Sequence, residues 1–237
     1  MELLSLLRFG PDGWGDELAA GAWLTIRLAL ATLPFGIVLG FFVALAKRSE
    51  RPALVVLGNT FTTVFRGLPE LLTIFLVYFG GQILLQRLVG LVFDGATVEV
   101  NGFVAGMIAL GLVFAAYSSE VFLGAFRGIG RGQWEAAAAL GLRPIATMRL
   151  VILPQLIRLA LPGLANLWLV LLKDTSLVSV IALSDLLRRT NIAVGATKEP
   201  FFFYAVACGL YLVMSIVSSF GINAVERWAN RGVRGRA

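Results

Sequence analysis

The sequence predicts an all-α polytopic membrane protein with five transmembrane helices, and three observations carry that prediction. The 237 residues are 58% apolar or aromatic before glycine is counted. Only 14% are charged, against about 25% in an ordinary soluble domain, and mean hydropathy is +0.86. A soluble fold of this size cannot hide so much apolar surface, whereas lipid removes the need to hide it. Charge is also absent for long stretches, and where it returns it is asymmetric.

The charge-free stretches define the spans. Leu28 to Ala46 is an uncharged run of 19 residues and, entered from about residue 18, gives span one over 18–46. Leu71 to Gln86 gives 16 uncharged residues and span two over 68–86. Asn101 to Ser119 gives 19 and, with its apolar continuation, span three over 101–126. Leu159 to Leu172 becomes span four over 154–172 if Arg158 sits near a membrane face. Pro200 to Val225, with 26, is span five over 200–225. Each compares with the roughly 20 apolar residues that cross a bilayer.

Orientation follows from the basic residues. With the N-terminus outside, the inner segments 47–66, 127–158 and the tail after 225 hold 13 of the 20 basic residues. Among them are Lys47, Arg48, Arg66, Arg127, Arg158, Arg231, Arg234 and Arg236. The outer segments hold six, Arg8, Arg27, Arg87, Arg188, Arg189 and Lys198. The positive-inside rule therefore favours N-terminus outside and C-terminus inside. Met1 to Gly15 has no basic region leading into a short apolar run, so no cleaved signal peptide is expected.

Whole function classes fall away. There is no histidine, which removes His-metal sites and Ser-His-Asp triads. The single cysteine, Cys208, cannot form an intrachain disulfide and reads as a small packing residue. No basic stretch interleaved with aromatics suggests nucleic acid. No G-x-x-x-x-G-K-[ST] phosphate loop occurs, so this chain is not expected to hydrolyse nucleotide.

Local chemistry breaks the simple pattern in two places. At Phe65-Arg66-Gly67-Leu68-Pro69-Glu70, proline lacks a backbone donor and Gly67 weakens the same turn, so a helix arriving from Leu54 should break. At Lys173-Asp174-Thr175-Ser176 the run of N-cap residues predicts the end of span four and the start of a short helix over 177–189. That helix either re-enters the membrane or lies at its outer face. Trp14, Trp23, Trp168 and Trp228 read as interfacial anchors. Gly36 and Gly40 read as a close helix crossing.

The segment between spans three and four is long and built. Glu135 to Leu140 has high helix propensity. Gly141 is a natural stop, and Pro144 can open a second helix. Two short helices joined at a glycine suggest a docking surface. Small alanines allow close approach, and Glu135 offers a charge to a basic partner.

These residues resemble a known family. Glu135-Ala136-Ala137, three residues, Gly141, nine residues and then Val151-Ile152-Leu153-Pro154 resemble the EAA loop of bacterial ABC importer permeases, with Val151 where isoleucine is usual. Phe65-Arg66-Gly67-Leu68-Pro69-Glu70-Leu71, Ala116-Tyr117-x-x-Glu120 and Leu172-Lys173-Asp174-Thr175-Ser176-Leu177 look like the polar amino-acid permeases of that superfamily. Ala160-Leu161-Pro162-Gly163 and Glu199-Pro200-Phe201 resemble the Q-type subunit of histidine, lysine-arginine-ornithine and opine importers. The similarity covers roughly residues 10 to 230.

The resemblance implies a type I ABC importer permease fold in the bacterial inner membrane. It implies a periplasmic segment 1–17, a transmembrane type-1 domain 18–226 with a cytoplasmic coupling loop 127–153, and a basic cytoplasmic tail 227–237. The implied partners are two ATPase subunits, a second permease as a heterodimer rather than a homodimer, a periplasmic solute-binding protein and the bilayer. No cofactor is expected on this chain, since ATP and Mg would lie on the ATPase. Coupling would fall to Gln133, Glu135, Ala136, Ala137, Gly141, Leu153 and Pro154. The implied cargo is a polar, basic amino acid or an opine.

A charged side chain inside a span is costly and therefore a functional candidate. The acids Glu70, Glu120 and Asp174, with Tyr117, Ser118, Asn166, Thr175 and Ser176, make the expected substrate path. The acids suit a cationic side chain, and helix N-termini suit a carboxylate. Structural roles compete: Arg66 and Glu70 can pair at i,i+4, Glu120 can brace Arg66 or Arg127, and Lys173 and Asp174 can mark the membrane surface. Two other functions stay open, an ABC permease for another small solute and an ion-driven carrier.

Overall fold

The computed structural model describes residues 2–91, 99–181 and 183–229. The tail residues Arg231, Arg234 and Arg236 therefore lie outside the described residues. After a one-turn helix at Glu2–Ser5, the described helices are α1 (Gly15–Lys47), α2 (Pro52–Gly67), α3 (Glu70–Gly90), α4 (Gly102–Gly128), α5 (Arg131–Ala139), α6 (Pro144–Ile181), α7 (Leu186–Thr197) and α8 (Pro200–Ala229). Five of them, α1, α3, α4, α6 and α8, are long and apolar enough to cross a membrane.

The helix boundaries have local causes. The side chain of Asn101 caps α4, accepting from the backbone N–H of Phe103 at 2.9 Å. Pro52 and Pro144 occupy the first turns of α2 and α6, where a missing N–H costs nothing. α2 ends at Gly67, the chain extends through Leu68 and Pro69, and α3 starts at Glu70. The expected break is therefore present. One π turn lies inside α3 at Leu76–Gly80 and another near the start of α6 at Met148–Ile152.

The expected helix over 177–189 is corrected. The chain tightens into a 3₁₀ stretch at Thr175–Ile181 that prolongs α6, and α7 begins only at Leu186. Thr175 does not cap: its hydroxyl donates back to the Leu172 carbonyl at 2.7 Å, extending the helix it follows. Asp185 is the cap, accepting from the N–H groups of Arg188 (3.0 Å) and Leu187 (3.3 Å). The two sites have similar local chemistry. The apolar face decides, because Leu171, Val178 and Ile181 continue one buried cluster across Thr175.

α4 is the axis of the bundle. Of its most apolar stretch 61% is buried, against 39% for α1 and 17% or less for the other three spans. α1 and α4 cross at the two glycines. A Cβ on Gly36 would come 2.5 Å from the Phe114 ring, and one on Gly40 would meet the Ala115 carbonyl at 2.8 Å. The Ser118 hydroxyl uses that proximity to donate to the Gly36 carbonyl across the helices at 3.2 Å. Small residues at helix crossings are the usual way to bring backbones together where lipid supplies no hydrophobic drive.

α3 and α8 show lipid-type exteriors, with Leu76, Ile83, Leu212, Val217 and Phe220 exposed. Trp23 and Trp228 are exposed, as anchors should be. Trp14 and Trp168 differ from that expectation because they pack inward. Trp14 stands edge-on to Phe203 at 6.5 Å, and Trp168 lies against the Leu28–Phe114 cluster. Cys208 is exposed on α8 rather than packed. At the end of the bundle opposite α5, α7 clasps the start of α1. Arg189 pairs with Glu17, and the Leu186 N–H donates to the Thr25 hydroxyl at 3.2 Å.

Two outcomes follow. Gly40→Leu should destabilise the detergent-solubilised chain by about 1–3 kcal/mol or prevent folding, whereas Gly209→Ala, with no atom within 4 Å of the new Cβ, should be silent; fluorescence-detected thermal unfolding reads both. Burial pushes the Asp185 carboxyl up to about 6. The unfolded chain then releases this proton first as pH rises, so the contribution is full below about 4 and lost by about 6. Asp185→Asn, which keeps a cap acceptor, should remove that slope from a stability profile taken between pH 4 and 7.

Candidate substrate pocket and docking surface

Glu70 opens α3, immediately after the break that Gly67 and Pro69 impose. Tyr117 stands midway along α4, and Asp174 ends the α-helical part of α6. The three converge on one pocket whose remaining walls are apolar, including Leu110, Phe114, Leu167 and Leu171. Both acids are half-buried, and neither has an ion pair among the described residues. The pocket volume is about 20 Å³, room for about one water. An amino acid does not fit without helix movement.

Directly beside the pocket lies an ionic hub. The Lys47 ammonium pairs with Glu120 and donates to the Thr62 hydroxyl at 3.2 Å. Arg66 lies 3.5 Å from the same Glu120 oxygen, and its guanidinium sits 5.4 Å from the Tyr117 ring centre. Glu120 therefore ties α1, α2 and α4 together, and Arg66 links that knot to the pocket wall. α2 comes close because Gly58 has no side chain: a Cβ there would stand 2.7 Å from Lys47 Cγ. Of the competing structural roles, the Arg66 brace of Glu120 is present. Among the described residues there is no Arg66–Glu70 or Arg127–Glu120 ion pair.

The remaining expected path residues are not at the pocket wall. Ser118 is fully buried against Gly36. Thr175 is fully buried with its hydroxyl on Leu172. Ser176 is half-buried, and Asn166 is exposed on the outer face of α6. Sequence reasoning missed Lys47 and Thr62. The available signal was that Lys47 ends a long uncharged run, but nothing local points it to Glu120, 73 residues away.

α5 is a braced projection. Its C-terminus closes with two bonds, Leu142 N–H to the Ala137 carbonyl (3.1 Å) and Gly141 N–H to the Ala138 carbonyl (2.9 Å), with Gly141 at φ +72°. That is a Schellman cap, and the positive φ is why glycine is needed. Arg48 fixes the helix to the bundle, its guanidinium 4.1 Å from the Phe126 ring centre and 5.4 Å from that of Trp134. Gln155 donates to Gln133 at 3.1 Å. Ala137 is buried against the bundle, while Gln133, Glu135 and Ala136 face outward.

Leu153 and Pro154 sit elsewhere, at the seam of α6 and α8. The sequence reading overlooked the apolar component of the projecting surface: Leu140, Ile145 and Leu150 are 79%, 82% and 65% exposed. The last two share a shallow basin with Arg143 and Arg149. An exposed apolar patch ringed by cations is an interaction surface by its chemistry.

Together these features define a polytopic membrane bundle with an acid-lined pocket in its span region and a braced projection at one end. The model of the binding-protein-dependent transport system inner membrane component matches residues 36–231, and the chain belongs to that family. It is 45% identical over 98% of both chains to the nopaline transport system permease protein NocQ of Agrobacterium fabrum. It is 38% identical to the arginine ABC transporter permease protein ArtQ of Escherichia coli, over 90% of this chain and 95% of that one. A crystal structure of an amino acid ABC transporter with histidines superposes with a TM-score of 0.76 at 31% identity, covering 90% and 94% of the two chains. The protein is a multi-pass inner-membrane transport subunit, not a catalyst.

Glu120→Gln should leave the nearly buried Lys47 charge unpaired. The expected loss is at the low end of the roughly 3–5 kcal/mol seen when buried pairs are broken, because Glu120 keeps about a third of its side-chain surface. A Lys47→Met, Glu120→Leu double variant should recover most of it, read by thermal unfolding of the purified chain.

Proposed function

We propose that this chain is the permease subunit of an ATP-driven importer for polar, basic amino acids or opines. The observation that carries the reading is the pairing of Glu70 and Asp174, two acids with no ion pair among the described residues, beside the Tyr117 ring in one apolar-walled pocket. A guanidinium or ammonium side chain supplies the missing charge, and the low-dielectric wall strengthens the attraction. The named relatives, which serve nopaline and arginine, support the same substrate class.

The N-terminus lies outside and the C-terminus inside, as the distribution of arginines favours. A solute-binding protein delivers cargo from outside, and two ATPase subunits dock beneath at α5. A second, different permease completes the pathway. This chain needs no cofactor of its own, since ATP and Mg act on the ATPase. Glu135, Ala136, Leu140 and Ile145 form the docking face. Movement of α5 reaches α4 through the Arg48–Phe126–Trp134 contact and reaches the pocket through Glu120 and Arg66. Two helix arrangements are required, since the pocket in its present form admits only about one water.

The test is reconstitution of the permeases, ATPase and binding protein in liposomes. Binding-protein-stimulated ATP hydrolysis should rise with arginine, lysine, histidine, ornithine or an opine, and stimulation by none of them would overturn the substrate class. Asp174→Asn should raise the half-saturating substrate concentration for uptake roughly tenfold or more, as loss of a desolvated charge partner does. Glu135→Arg should abolish uptake while insertion into the membrane is retained.

A further inference from the structure

The seam between α6 and α8 carries a second candidate site, independent of the substrate pocket. On α6, Leu161, Ala165 and Trp168 line one side. On α8, Gly221 and Val225 line the other, and Leu30 and Ile37 of α1 form the floor. The volume there is about 360 Å³, and Ser218 is the only polar side chain in the wall. Toward the α5 end the same seam opens into a second pocket of about 310 Å³ between Pro154, Ile157 and Arg158 on α6 and Trp228 on α8. Residues 154, 158, 161, 165 and 168 follow one another at three- and four-residue steps, as do 218, 221, 225 and 228, so both pockets lie along a single groove.

The groove changes chemistry along its length in the way a phospholipid does. Its deep part is apolar apart from Ser218 and runs between α6 and the lipid-type face of α8. Its mouth holds Arg158, exposed and without an acidic partner among the described residues, and Trp228, 68% exposed. Glu226, the nearest acid in sequence, lies half-buried about one turn from Ile222 and Ala229 of the same seam, and it makes no ion pair with Arg158 among the described residues. From Arg158 to Trp168 the helix rises about 15 Å. That is the depth of one leaflet, half of the ~30 Å hydrocarbon core.

A transmembrane helix of a partner is too thick to enter: a 15 Å length about 10 Å across occupies on the order of 1,200 Å³. Gly221 leaves the groove open, because nothing lies within 4 Å of the position its Cβ would take.

We propose that this groove holds an anionic phospholipid of the leaflet at the α5 end, one acyl chain along Leu161, Ala165 and Gly221 and its phosphate on Arg158. The mouth lies at Leu153 and Pro154, directly after the π turn of α6, so an occupied groove fixes the stem of the α5 projection against α8.

The complex as purified from membranes is exchanged into micelles with equal phosphatidylglycerol and phosphatidylcholine, and retained lipid is counted by native mass spectrometry. Wild type should retain phosphatidylglycerol in preference. Arg158→Gln should cut that preference about fivefold, the worth of one cation near a lipid phosphate, and Arg158→Lys should keep it. Gly221→Phe, which fills the groove, should release both lipids. Equal retention of the two lipids by wild type, or an unchanged preference in Arg158→Gln, would overturn the proposal. So would cross-linking of a Gly221→Cys, Cys208→Ser chain to a second permease, which would make the seam a protein interface.

Discussion

The backbone approach of α1 to α4 at Gly36 and Gly40 is the contact on which the remaining arrangement depends. In hydrocarbon, apolar side chains gain nothing by leaving lipid for protein, so helices are held by close packing and by polar contacts that cannot be satisfied elsewhere. Here both occur at one crossing, with the two glycines against Phe114 and Ala115 and the Ser118 hydroxyl on the Gly36 carbonyl. The crossing fixes the register of α4, which in turn places Tyr117 at the pocket and Glu120 within reach of Lys47 and Arg66. The ionic hub begins two residues beyond the serine, where Glu120 of α4 meets Lys47 of α1, and it draws in Thr62 and Arg66 of α2.

The bundle has two distinct ends. At one, α7 and the Glu17–Arg189 pair clamp the start of α1. At the other, α5 projects on a short stem, braced by Arg48 between two aromatic rings and by the Gln133–Gln155 bond. The pocket lies between them, with acids contributed by the first turn of α3 and the last α-helical turn of α6, before its 3₁₀ stretch. Both helices are irregular where they meet it: the chain breaks at Leu68-Pro69 before Glu70 and tightens to 3₁₀ after Asp174. Irregular backbone at membrane depth is tolerated where it lines a cavity, and these two breaks deliver two carboxylates to one place.

Much of this was legible in the sequence because its causes are local. Charge-free runs mark the spans, Pro69 and Gly67 mark the break, and Gly141 with Pro144 marks the two-helix projection. The acids in spans were also legible, since a charge there is costly wherever it points. What pairs with what was not. Glu120 finds Lys47 across 73 positions, Ser118 turns to Gly36 rather than to a path, and Asn166 faces outward. The start of α7 was misread because Asp174-Thr175-Ser176 and Ser184-Asp185 offer the same capping chemistry. Only continuity of the buried apolar face past Thr175 separates them. The exposed Leu140, Ile145 and Leu150 were passed over because single apolar residues carry no signal until the fold gathers them on one surface.

The central claim is mechanical: work done by a separate nucleotide-hydrolysing subunit enters this chain through α5. The most direct measurement is site-directed cross-linking from Ala136→Cys in a Cys208→Ser background, in sealed membrane vesicles, with and without ATP. A cross-link to the ATPase subunit should form from the cytoplasmic face and change in yield when ATP is added. Labelling of that cysteine only from the opposite face, or no contact with the ATPase in either state, would contradict that claim.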